Sequence, residues 1–186
     1  MNVKIDKSLK LVIPMENDDG KKFYVHSSVM SRAVFEQFFL VVSKAFSEIY
    51  TQGLGVTSGP RIAALMLRRA AKDLDVEAEV EMGLINEMKR LTNVIVPGQN
   101  GWETLPFEQA VSGGWIDDES ASEVENALAF FSLASVMHRR TEREPILTAA
   151  AALWGGQITS SPLTEYIRSL PISTATGNSG VTTTAA

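Results

Sequence analysis

Residues 31–50 read SRAVFEQFFLVVSKAFSEIY. Within this stretch Phe35, Phe38, Phe39, Val42, Phe46 and Ile49 recur at i, i+3, i+4 and i+7 spacing, which lays them along one apolar stripe of a helix. Gly53 suits the residue just past the end of that helix. Downstream, Gly53 to Gly59 reads as a loop, and Pro60 as the first position of a second helix running to about Leu74. A third helix covers Val76 to Leu91, with Gly83 in its middle. Pro97, Gly98, Asn100, Gly101 and Pro106 mark an irregular crossing, with Trp102 tucked against the core. A short helix from Phe107 to Val111 stops at Gly113-Gly114. Ser120 and Glu123 have the spacing of a capping box, which opens a helix to about Arg140 with Val124, Ala127, Leu128, Phe131 and Ala134 on one face. Pro145 starts another helix, ending at Gly155-Gly156, and Ser161-Pro162 caps a last short one that ends before Pro171.

Toward the N-terminus the period changes. Leu9, Leu11 and Ile13 alternate with polar or smaller residues, Glu16 to Gly20 supply turn chemistry, and Phe23 and Val25 make a return strand. An Asp-Gly pair between two such runs signals a hairpin, because Gly tolerates positive φ. Calcium binding by the acidic turn is the sharper alternative, but the ligand spacing of a calcium loop is absent. The sequence therefore predicts a mainly α fold: residues 1–26 form a β-hairpin arm packed on a multi-helix bundle over residues 27–171. Residues 172–186 are Ser, Thr, Gly and Ala with few apolar anchors, so they read as a disordered tail. No internal repeat is visible.

The 186 residues suffice for one core, and 45% hydrophobic with 21% charged residues excludes wholesale disorder. A net charge of −5 argues against general binding to nucleic acid or anionic membrane. With no cysteine, disulfides, thiolate metal sites and cysteine nucleophiles are excluded together. Met1 to Lys10 alternates Val3 and Ile5 with charge instead of building an apolar signal core, and Phe38–Val42 and Ala149–Trp154 are too short to span a bilayer. An intracellular, soluble protein is expected.

Motifs of catalysis are missing. The glycine-rich segment Gly53–Gly59 lacks the Lys-Ser/Thr of a phosphate loop, since Pro60-Arg61 follows. His26 and His138 are in no metal-type spacing and read as structural, His138 complementing a helix C-terminus. Asp117, Asp118 and Glu119 suit a helix N-terminus better than a carboxylate pair. Neither a Gly-x-Ser-x-Gly elbow nor a Ser-x-x-Lys motif occurs. The protein is accordingly expected to have no catalytic, metal or cofactor site.

Two surface features remain. Arg61, Arg68, Arg69 and Lys72 cluster on one side of the second helix, either as a seat for an acidic partner or as a solvated face. At about 100° per residue, Leu40 falls among Glu36, Ser43, Lys44 and Ser47, away from the Phe stripe, and Leu65 falls among Arg61, Arg68 and Lys72. These two leucines indicate either a surface for another helix or for self-association, or a larger intramolecular burial. Phe35, Phe39, Leu40, Leu65, Arg61, Arg68, Arg69 and Lys72 are the candidate partner-binding residues.

Several runs resemble the tail assembly chaperones of long-tailed bacteriophages. They are Leu11-Val12-Ile13-Pro14, Tyr24-Val25-His26-Ser27, Val34-Phe35-Glu36-Gln37-Phe38-Phe39, Gly59-Pro60-Arg61-Ile62-Ala63-Ala64-Leu65-Met66-Leu67, Leu91-Thr92-Asn93-Val94, Asn100-Gly101-Trp102-Glu103-Thr104, Glu123-Val124-Glu125-Asn126-Ala127-Leu128 and Ser169-Leu170-Pro171-Ile172-Ser173-Thr174-Ala175-Thr176. The likeness extends over nearly the whole chain, and none of these runs is a mechanistic motif. It implies a helical, non-catalytic protein of the infected host bacterial cytoplasm. Such a protein coats the helical tape-measure protein until tube subunits polymerise around it, and is absent from the mature virion. It also implies a longer frameshifted form that contacts the tail-tube protein, although no Gly-Lys or Lys-Lys pair follows Arg168 here. The alternatives are a structural virion component, such as a head-completion or neck protein, and a DNA-binding module using the basic side of the second helix.

Overall fold

The computed structural model describes residues 9–171. At its centre is a five-stranded antiparallel sheet built from β1 (Lys10–Glu16), β2 (Lys22–Ser28), β3 (Thr92–Gly98), β4 (Gly101–Pro106) and β5 (Gln157–Thr159), in the order β4-β3-β2-β1-β5. With 60% helix, 19% strand and eight helices, the fold is mixed α/β, which corrects the expectation of a mainly α bundle with an added hairpin. The disordered tail expected over 172–186, and the alternation of Val3 and Ile5, fall outside the described residues.

The β1–β2 hairpin pairs Glu16 with Lys22. Its turn closes through the Gly20 amide on the Asn17 carbonyl, with Gly20 at φ +74°. These strands are the middle of the sheet. On the β2 side, β3 joins in antiparallel register, Tyr24 opposite Ile95 and Ser27 opposite Thr92. Strands β3 and β4 form a second hairpin with Gln99-Asn100 as a two-residue loop between Gly98 and Gly101. The segment read as an irregular crossing is therefore this hairpin. The β-branched run Val94-Ile95-Val96 favours a pleated, buried surface, and Gly101 at φ +123° supplies a backbone that other residues avoid. On the β1 side, three residues of β5 pair with Lys10, Leu11 and Val12, the first part of the remaining edge.

The helices are α1 (Arg32–Gln37), α2 (Phe39–Thr51), α3 (Gly55–Lys72), α5 (Phe107–Ser112), α6 (Asp118–Met137), α7 (Arg140–Ala151) and α8 (Leu163–Ser169), with α4 a composite of Glu77–Val80, a π-turn over Glu81–Ile85, and Asn86–Arg90. Helix α3 begins at Gly55, inside the expected loop, and carries Pro60 in its second turn. The reason is close packing: a Cβ on Gly59 would lie 2.8 Å from the Phe130 ring and 2.9 Å from Ile49. Gly59 thus lets α3 approach α2 and α6. Asn126 of α6 accepts a hydrogen bond from the Ala64 amide, one turn beyond Pro60 (3.0 Å). Pro145 likewise sits within α7, which starts at Arg140. In both helices the proline removes one backbone donor near the start of the helix. Helix α6 begins one turn before the expected capping box, because the Asp117 carboxylate itself accepts from the Ser120 amide at 2.8 Å.

Leu11, Ile13, Phe23, Val25, Val94 and Val96 point from one sheet face into the main core, beneath the buried sides of α2, α3, α4 and α6. On the opposite face Val12 and Ile95 pack with Tyr24 and Trp102 beneath Leu163, Tyr166, Ile167 and Leu170. Helices therefore cover both faces, unequally.

Candidate functional site

The N-cap of α1 is Ser31, whose hydroxyl accepts from the Val34 amide (3.3 Å). One turn later Phe38 departs from helical geometry at φ −104°, ψ 20°. Its ring lies on Gly83, in the space where a Cβ would otherwise stand. The π-turn of α4 contains that glycine. This exchange buries Phe38 and turns the next two residues outward, Phe39 at 49% and Leu40 at 71% exposure. Phe35 meets Phe39 edge-to-face, centroids 5.7 Å apart.

The facing wall comes from the bend between α3 and α4. There the Val76 amide donates to the Ala71 carbonyl (3.0 Å) and the Asp75 amide to the Lys72 carbonyl (3.2 Å), a Schellman closure with Asp75 at φ +55° where glycine is usual. The bend holds Leu74 40% exposed. Leu74 and Val76 face Phe38 to Val41 across an open groove of about 580 Å³, with Glu36 and Glu79 on its rim. On α4, Met82 is 67% exposed.

Of the candidate partner-binding residues, Phe39 and Leu40 line this groove; Phe35 stands behind Phe39, and Leu65 is elsewhere, 62% exposed on the outer face of α3. Arg61, Arg69 and Lys72 are exposed and form no ion pair among the described residues. Arg68 parts from them. It forks onto Glu81 (3.0 and 3.1 Å) and reaches Glu125 (2.8 Å), which also receives Lys89 at 2.7 Å. Hydrogen bonding to Glu81 raises the Arg68 pKa further above its ordinary value. Burial pushes Glu125 up, but bonds from Lys89 and Arg68 outweigh it and hold the carboxyl below its ordinary value. The network ties α3, α4 and α6 together, so Arg68 is engaged internally.

His26 is 2% exposed on the second sheet face, its Nε2 3.3 Å from the Ser161 carbonyl. His138 Nε2 lies 3.1 Å from the Tyr50 hydroxyl, beside Phe46. Among the described residues no group of three His, Asp or Glu is placed to hold a metal ion, and no helix is long and apolar enough to cross a membrane. Sequence reasoning missed Leu74 and Val76. Their signal is the run Asp73-Leu74-Asp75-Val76-Glu77-Ala78-Glu79-Val80-Glu81, in which acidic and apolar residues alternate inside a region otherwise read as helix and turn.

Comparison with protein-family models, with curated proteins and with solved structures finds no match to this chain.

Proposed function

We propose that the protein is a non-catalytic assembly chaperone that binds and solubilises the helical tape-measure protein during bacteriophage tail assembly in the host bacterial cytoplasm. The observation that carries this reading is the open apolar groove of Phe39, Leu40, Leu74 and Val76, presented to solvent by short helical elements. A long amphipathic helix left alone aggregates through its apolar stripe, and such a groove can cover part of that stripe. The resemblance of several runs of the sequence to tail assembly chaperones supports the same reading.

Magnitudes set the stoichiometry. Completing the burial of Phe39, Leu40 and Leu74 from their present exposures contributes about 4 kcal/mol before association costs. Association costs of about 4 kcal/mol or more offset all of that, so a single groove binds a client only very weakly. Useful protection of a long client then requires many copies side by side, each covering a short stretch.

The test is co-expression with the long helical product of the neighbouring downstream gene. The expected outcome is a soluble client that co-purifies with many copies of this protein, and loses most of them with Leu40→Asp while far-UV circular dichroism stays unchanged. A client that remains insoluble, with this protein recovered in purified particles, replaces the reading with a structural virion component.

A further inference from the structure

We infer that the groove also accepts the outer face of α3 from a second copy of this chain, so that the free protein self-associates through unlike surfaces. The two surfaces are complementary in shape class and in charge. Next to the apolar groove, Asp75, Glu77 and Glu79 are exposed and have no ion pair among the described residues, whereas their neighbours Asp73 and Glu81 are held by Lys44 and Arg68. On α3, Arg61, Leu65, Arg69 and Lys72 follow one another at i+4, i+4 and i+3, one exposed row with a single large apolar side chain set among three cations. A helix that offers Leu65 to Phe39, Leu40 and Leu74 brings its three cations to the three carboxylates. The same row repels itself on any contact of like faces, and so does the acidic bend, which selects the unlike pairing. One helix in one groove is a small interface, so the association is weak and its electrostatic part is sensitive to salt.

This contact does not depend on the chaperone reading. A client helix would compete for the groove, and displacement by client is a separate measurement.

The experiment is sedimentation velocity of the full chain from about 5 to 500 µM at low and high salt, spanning the weak affinities expected of small interfaces. The average mass is expected to rise with concentration and to fall when salt is raised. Leu65→Asp should weaken association by about tenfold or more, because it removes the apolar contact and brings a carboxylate toward the acidic bend. The deciding arm uses two charge-reversed proteins, Glu77→Lys with Glu79→Lys, and Arg61→Glu with Arg69→Glu. Each should be monomeric alone, and their mixture should associate, because only the mixed contact has opposite charges. All five positions are exposed, and circular dichroism checks that each variant folds. A wild-type chain monomeric throughout the range overturns the proposal, as does association that ignores salt and both reversals, or a mixture no heavier than its parts.

Discussion

The two faces of the sheet are covered in different ways. On one, aliphatic side chains and Phe23 meet a thick layer of helices, and the buried hydroxyls are paired, Thr92 donating to the Met88 carbonyl (2.8 Å) and accepting from the Ser27 hydroxyl (2.9 Å). On the other, one seven-residue helix, α8, rests on an aromatic floor. Tyr24 meets Trp102 and Tyr166 edge-to-face at 5.5 and 6.1 Å, and polar tips complete the contact. Trp102 Nε1 donates to the Pro171 carbonyl (2.7 Å), and His26 meets the Ser161 carbonyl. The first face holds its helices by area and close fit. The second holds a helix too short to persist alone by a few directional contacts. The two faces should therefore open at different free energies.

The largest effect that would sharpen this contrast is Leu67→Ala. Leu67 is fully buried on α3 in the main core, so truncation should cost about 2–5 kcal/mol and lower the global Tm by about 5–15 °C. A drop confined to the amides of one helix would break the comparison. Next is Trp102→Phe, which keeps the ring contact with Tyr24 and removes the bond to Pro171. We expect α8 amides to exchange faster by about 0.5–1 kcal/mol of protection, with the global Tm nearly unmoved. Equal losses throughout the protein would show that α8 is part of the main cooperative unit.

The smallest effect at neutral pH comes from His26. Burial lowers its pKa below the ordinary 6.5, with nearby Lys10 adding to this and the Ser161 carbonyl opposing it. Above pH 6.5 the imidazole is neutral folded or unfolded, and contributes no pH dependence. As the pH falls through 6.5, the unfolded chain takes up a proton that the folded chain accepts only at lower pH, so stability declines until the folded pKa is passed. Protection of α8 amides should fall over that window, and His26→Asn should flatten the profile. A wild-type profile already flat there would remove His26 from the account.

How far the fold was legible follows from the same elements. The β1–β2 hairpin could be read because alternation and Asp19-Gly20 turn chemistry coincide. Strands β3 and β4 were missed: Leu91 to Val96 followed directly on a helical run, and the breakers Pro97, Gly98 and Gly101 hid a two-residue turn. Three-residue β5 carries no periodic signal, and exists because β1 has an edge to pair. The start of α3 was misplaced because Gly59, a helix breaker by propensity, fits tertiary neighbours that propensity cannot see. At the candidate site, helical spacing sets Leu40 and Leu65 apart from the apolar stripes but leaves open whether they are buried, and the structure shows both exposed. Phe39 was not set apart, since the irregular backbone at Phe38 breaks the projection that grouped it with Val42 and Ile49. The groove itself depends on where the bend at Asp75 comes to rest against α1 and α2, which is tertiary information.

The sheet order also sets a schedule for synthesis. Four strands, β1 to β4, are complete by Pro106, yet the outer edge of β1 pairs only with β5, which begins at Gln157. At ordinary translation speeds the intervening stretch of roughly 50 residues takes about 3–10 s to emerge. During that interval the nascent chain carries an open strand with an unbroken apolar run from Leu11 to Met15, the kind of template on which neighbouring chains add. Pairing of the strand's first three residues, Lys10 to Val12, falls to three residues made near the end of the described chain, immediately before the helix that roofs the second face.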